Sequence, residues 1–372
     1  MKPVRYPIDN GERSALKQRY VKALTALKKK DGANRLYWCN IKWKKIRHKL
    51  PQGNRFPSDI RKILTAEFPK LAVYYWYYTQ SPLLSDELSE VFAYDIFHDC
   101  IASFFMDGRN GFDLRVCHYC GMAYINKYTA RNDKDGLAMI NNASIKELEK
   151  LLKIKTPSTL SFISRNKPYD SVAQFNSLSV FRCHDKFHSV FPESKDKNHF
   201  DLDHVLDKGS CPILAISLMN LVPSCGVCNE KLKGSQLLGH NGIPDVELSP
   251  TSQSFNFDGN VDFVLLPLPG RRLTNRPTKH EDDYHLEMSV KKPNYERFIE
   301  VFHLRERYGF HIMEALFWLE MKYRYTDSRI SMMANALHNA EFSPRRIKDD
   351  IFQRQLDSKE RCFEKLKRDM LK

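Results

Sequence analysis

The sequence predicts an α+β protein that is mainly helical, with a small cysteine-bearing core set between helical N- and C-terminal regions. Three observations lead there. Stretches at both ends carry apolar residues at helical spacing. Two Cys-x-x-Cys pairs, Cys117/Cys120 and Cys225/Cys228, stand in the middle of the chain. Between them, Phe200-Asp201-Leu202-Asp203-His204-Val205 alternates in the manner of a strand. The expected organisation is a basic helical region over 1–115, a core over 116–240 with an insertion at about 127–198, and a C-terminal region over 241–372.

Residues 10–30 read as helix, with Leu16, Tyr20, Ala23, Leu24 and Leu27 on one face. Residues 58–106 do the same, starting near Pro57-Ser58-Asp59-Ile60. Within them, Val73-Tyr74-Tyr75-Trp76-Tyr77-Tyr78 is expected to be a buried helix or strand, because large aromatics dominate cores; a base-stacking platform is the other use of such a run. Residues 127–198 are polar and weakly periodic, with one helix near Ser144–Leu152 behind the capping-box sequence Ser144-Ile145-Lys146-Glu147. Short alternating runs at 255–257, 261–264 and 284–288 predict strands. Helix resumes from about 294. A last charged helix starts at Ser343-Pro344, with Ile347, Ile351, Phe363, Leu366 and Met370 as its apolar stripe.

The charge is concentrated. Residues 1–70 hold 19 Lys and Arg against 5 Asp and Glu, an excess equal to the +14 of all 372 residues. Such an excess points to a polyanionic partner, with phosphates the natural choice. Lys42, Lys44, Lys45, Arg47 and Lys49, interleaved with Trp43 and Ile46, are the best candidates to track a phosphate backbone. No run of about 18 apolar residues occurs, so no membrane span is expected. The first residues lack the apolar stretch of a signal peptide, and a cytosolic protein is expected.

Nine cysteines without an export signal argue for metal rather than disulfides. The two-residue gap lets both thiolates of a pair reach one ion, and two such pairs make a closed tetrahedral zinc site. The 104 residues between Cys120 and Cys225 cost little extra, because loop entropy grows with the logarithm of length. Cys183, His184 and His188 offer a second, less distinctive ligand set.

His204 is followed after sixteen residues by Asn220 and after nine more by Asn229, directly behind Cys228. Phosphodiester hydrolysis needs a deprotonated water, charge neutralisation at phosphate and help for the leaving oxygen. A neutral imidazole suits the first task, and a hard divalent ion such as Mg²⁺ or Mn²⁺ the other two. Asp203 can supply a carboxylate oxygen and Asn229 an amide oxygen. In an ideal strand Asp203 and His204 point to opposite sides, so they share a site only where the strand ends or bulges. Asn220 is better suited to bracing the loop that carries His204. Asp201 takes a supporting place in the hairpin. Lys231 and Lys233, on a following helix, either touch phosphate or are solvated.

The ordered set over 117–126 and 199–235 resembles the HNH (His-Me finger, ββα-metal) endonuclease motif of the type with a zinc-binding cysteine cluster. The spacing from Asn220 to Asn229 is also similar to the HNH domain of CRISPR effector nucleases. The resemblance implies that His204 is the general base and that Asp203 and Asn229 hold the catalytic metal. It also implies that Asn220 is the middle asparagine and that the four cysteines hold structural zinc. Cys117-His118-Tyr119-Cys120, Phe200–His204 and Pro212–Cys225 are similar to bacterial HNH proteins of anti-phage systems, the Septu-type and retron-associated nucleases, whose usual partner is an SMC-like or ABC-type ATPase. A cytoplasmic, bacterial, DNA-cleaving effector is the expectation. A non-catalytic zinc-knuckle nucleic-acid binding protein and an RNA- or tRNA-cleaving enzyme are the alternatives.

Overall fold

A computed structural model describes residues 1–129, 133–181, 185–191, 196–270, 280–337, 341–352 and 361–372. Among the described residues the chain is mostly helical with four small two-stranded sheets, and it divides into two units, Met1–Asn126 with Phe200–Lys372, and Lys127–His199. Among the described residues no helix is long and apolar enough to cross a membrane.

The first unit begins with helices whose ends the sequence marks. Asp9 caps Asn10–Thr25 by accepting from the Glu12 N–H, and Leu16, Tyr20 and Leu24 are buried along one face. Asn34 caps Arg35–Arg47 in the same way, and Leu36, Cys39, Trp43 and Ile46 turn inward. The aromatic run lies in the helix Phe68–Thr79, where Tyr74, Tyr75 and Tyr78 are buried while Val73 and Trp76 are exposed. Tyr94–Met106 buries Phe97, Ile101, Phe104 and Phe105. These faces share one core with the residues around the central hairpin. They also grip its connection: the Tyr20 hydroxyl donates to the Ile216 carbonyl at 2.9 Å, and the Ser217 hydroxyl to that of Ile63 at 3.3 Å.

The hairpin pairs Asp201–His204 antiparallel with Leu221–Ser224, in the register Asp201 to Ser224 and His204 to Leu221. Its connection is exposed at 208–210 and buried from Cys211 to Asn220, where it folds into two 3₁₀ turns, Pro212–Leu214 and Leu218–Asn220. A π-helical segment, Val227–Lys233, follows the second strand, with the Gly234 N–H bonded to the Asn229 carbonyl.

Downstream, Val261–Pro267 pairs with Tyr284–Val290 and turns Val261, Phe263, Leu265, Tyr284, Leu286 and Met288 inward. The run Phe255-Asn256-Phe257 is not a strand, because the Asn256 side chain accepts from the Gly259 N–H and starts a helical turn over Phe257–Asn260. Helices from Asn294–Val301 onward complete the unit. The last expected helix is two pieces, Pro344–Ile351 and Glu364–Met370. Phe363 adopts a left-handed φ of 60° at the second start. The stripe divides accordingly: Ile347 joins Ile330 and Phe352 in a satellite cluster, whereas Leu366 and Met370 belong to the main core.

The second unit holds more helix than its sequence displays. Its segments Asp133–Asn142, Ile145–Leu152, Pro157–Arg165, Val172–Asn176 and Lys186–Val190 run five to ten residues, too few turns for periodicity to stand out. They enclose a core of their own, with Ile140, Leu148, Leu152, Ile163, Phe175 and Phe187 at its centre. The capping box at Ser144 and Glu147 is formed in both directions. Strands Asn126–Thr129 and Asp196–His199 pair with each other.

A candidate metal centre beside a buried histidine

The four sulfurs of Cys117, Cys120, Cys225 and Cys228 lie within 4.8 Å of one another. A tetrahedron with Zn–S of 2.3 Å needs sulfurs about 3.8 Å apart, so a small contraction around an ion closes the site. Each pair sits in a tight turn. Gly121, at φ 67°, lets the first turn close, and a Cβ there would press on the Met1 backbone nitrogen and the Tyr308 hydroxyl. Three N–H groups point at sulfur: Met122 to Cys120 at 3.4 Å, Cys225 to Cys117 at 3.3 Å, and an Arg307 guanidinium N–H to Cys228 at 3.4 Å. Donors to sulfur and a nearby cation are what a thiolate cluster with net negative charge requires. The cluster can hold a structural metal such as zinc. Arg307 is 79 residues beyond Cys228, and nothing in the sequence ties it there.

Asp203 and His204, adjacent in the strand, enter different surroundings. Asp203 is 2% exposed. Its Oδ2 accepts from the Tyr119 hydroxyl at 2.5 Å, and its Oδ1 pairs with the Lys233 ammonium at 3.2 Å. Burial raises its carboxyl above the ordinary carboxylate value, against the pull of the Lys233 charge. His204 lies where the strand ends. Its Nε2 is 2.8 Å from the Ala215 carbonyl, which can only accept, so Nε2 carries the hydrogen and Nδ1 the lone pair. Burial lowers its pKa to about 4, so the ring is neutral at physiological pH.

Two residues beside His204 lie outside the sequence expectation. The Tyr94 ring meets the imidazole edge-on at 4.5 Å, and the Lys208 ammonium lies 4.6 Å from the centre of the Tyr94 ring. Lys208 also approaches Asp95 at 3.5 Å. Tyr94 comes from the helical region more than a hundred residues upstream, so only the folded chain reveals it.

Asn220 is fully buried and stitches the connection shut. Its Oδ1 accepts from the Leu206 N–H at 2.8 Å, and its Nδ2 donates to the Leu206 and Leu214 carbonyls at 2.9 and 3.1 Å. Asn220→Ala orphans the buried Leu206 N–H and carbonyl and leaves the Leu214 carbonyl only its bond from the Ser217 N–H, and a loss of about 3 kcal/mol is expected in urea denaturation. A change below about 0.5 kcal/mol would contradict the brace.

The remaining candidates fall in separate places. Asn229 is half-buried, and its side chain has no hydrogen-bond partner among the described residues. Asp201 does not bond the hairpin. Among the described residues its Oδ2 and the Ser224 Oγ across the ladder are both buried without a hydrogen-bond partner, with Gly226 close by. Lys231 is exposed. Lys233 is 1% exposed rather than solvated; besides Asp203 it donates to the His204 carbonyl at 2.6 Å. The i→i+5 bonding of this segment shifts residues around the axis relative to an α-helix and brings Lys233 beneath the strand. In the basic stretch Lys42, Lys44, Lys45 and Lys49 are exposed, but Arg47 is turned inward and donates to the Gly53 and Phe56 carbonyls. Cys183 and His184 lie outside the described residues, and His188 bonds Asp185 and Asp133. No family model, no curated protein and no solved structure matches the chain.

Proposed function

We propose that the protein is a metal-dependent endonuclease of the HNH type that hydrolyses phosphodiester bonds of DNA, with His204 as general base. The observation that carries this is the geometry of His204: its Nε2–H is bonded to a carbonyl and, among the described residues, its Nδ1 has no hydrogen-bond partner, while burial favours the neutral ring that can take a proton from water. Tyr94 restricts the ring, and Lys208 is a cation within reach of the same neighbourhood for an incoming phosphate. Asn220 holds the connection whose Ala215 carbonyl orients the imidazole.

A hard divalent ion, Mg²⁺ or Mn²⁺, would neutralise charge at the phosphate and the leaving oxygen. Its donor chemistry fits the oxygens of Asp203 and Asn229. Asp203 already has Lys233 as its cation, so an ion held there would have to displace that ammonium. His204→Ala should cut less than the native protein by about 10²–10⁴-fold while it still binds DNA and stays folded at the assay temperature, with a lower melting point from the vacated site. Undiminished cleavage by that variant ends the assignment.

One observation favours a second reading, a zinc-knuckle nucleic-acid binding protein without catalysis: both Asp203 oxygens are engaged by protein donors. Plasmid incubated with and without added Mg²⁺ separates the two, because only the nuclease produces Mg²⁺-dependent nicks. RNA and tRNA substrates in the same assay decide the polymer. The anti-phage setting and the SMC- or ABC-type ATPase partner rest on the resemblance alone, and repeated affinity purification from the host without an ATPase counts against them.

A further inference from the structure

We infer that one side row of the Arg35–Arg47 helix, made of Arg35, Trp38, Lys42 and Lys45, is a track that seats a nucleic-acid phosphate backbone. Lys49 continues it past the helix end and Lys29 from the preceding turn. This rests on the nucleic-acid reading above but not on catalysis.

The spacings 35, 38, 42, 45 and 49 step by three and four residues, which places them on one face. At 1.5 Å per residue, Arg35 to Lys45 spans about 15 Å. Trp38 is the centre. Lys29, Arg35 and Lys42 stand 5.3, 4.5 and 5.3 Å from its ring centre, three cations gathered on one half-buried indole. The ring stabilises each of them, Asp31 pairs Lys29 and the Glu90 carbonyl accepts from Arg35 at 3.3 Å, so Lys42 is the one of the three left to meet an external anion. The helix contains no acidic residue. Among the described residues Lys42 and Lys45 have no carboxylate partner, and the acids near the ends are exposed or distant: Asp31 bonds Lys29 at 3.2 Å, and Glu87 is 3.8 Å from Lys49. Lys44 projects from the other flank and Arg47 is used internally, so the seat is narrower than the basic stretch of sequence.

The test uses the full chain in buffer without added divalent ion, where cleavage is silent and the cysteine cluster keeps its metal. Binding of a labelled DNA duplex is followed by fluorescence anisotropy across a range of NaCl concentrations. Each phosphate contact adds about 0.9 to the slope of log K against log salt. The triple variant Lys42→Gln/Lys45→Gln/Lys49→Gln should flatten that slope by about 2.7, and Lys44→Gln should leave it unchanged. Single-stranded DNA and RNA arms identify which polymer the track takes, with a drop of about 2.1 for single strands. A triple variant with the native slope on all three polymers overturns the inference, as does Lys44→Gln matching a row variant. Absence of nicking in the Mg²⁺ assay would leave a flattened slope standing, and an unchanged slope would leave the nicking result standing.

Discussion

Chelation of the cysteine cluster, or Cys228→Ser, is expected to collapse the core around the hairpin. Both knuckles enter the main core through Cys117, Tyr119, Cys120 and Cys228, so loss of the ion releases apolar packing together with the four sulfur bonds. Structural zinc in small fingers contributes about 10–16 kcal/mol. That equals the whole net stability of an ordinary domain, about 5–15 kcal/mol. The measurements are metal analysis, expected to give one zinc per chain, and thermal melting with and without a strong chelator. The cooperative transition should drop sharply or vanish in the apo protein. A chain purified without zinc that melts like the native one would remove the structural role.

Lys233→Met should be the most damaging single change outside the cysteines. It strands Asp203, 2% exposed, without its cation. Breaking a buried ion pair from one side costs about 3–5 kcal/mol, read as a lower urea midpoint. Lys233→Met/Asp203→Asn should recover most of that loss, because the stranded charge is gone. The single variant also tests where a divalent ion sits. With Asp203 deprived of its ammonium, added Mg²⁺ should raise the midpoint by mass action, and it should do so less in the native protein. Equal Mg²⁺ responses would place the ion away from Asp203.

The elements legible in the sequence were those fixed by local chemistry. The capping box at Ser144, the Ser343-Pro344 start, the strand-like alternation at 261–264 and the paired cysteines each depend on neighbours a few residues away. What escaped depends on distant groups. Tyr94 beside His204, Arg307 against Cys228 and Tyr119 on Asp203 join residues 79 to 110 positions apart, and no spacing rule encodes them. Lys233 escaped for another reason. On an α-helix it would read as a solvated cation, and only the π-helical bonding of its segment turns it inward. The break at Phe363 was hidden because nothing but its left-handed φ marks it.

Asp203 is held by one residue from each knuckle: Tyr119 lies between Cys117 and Cys120, and Lys233 stands five residues after Cys228. The carboxylate is therefore set only when both halves of the cluster have closed. In a nuclease this amounts to a safety interlock on newly made chains. If the proposed nuclease reading holds, a copy without metal in its cysteine cluster would not fix the acid beside its histidine and would stay inactive.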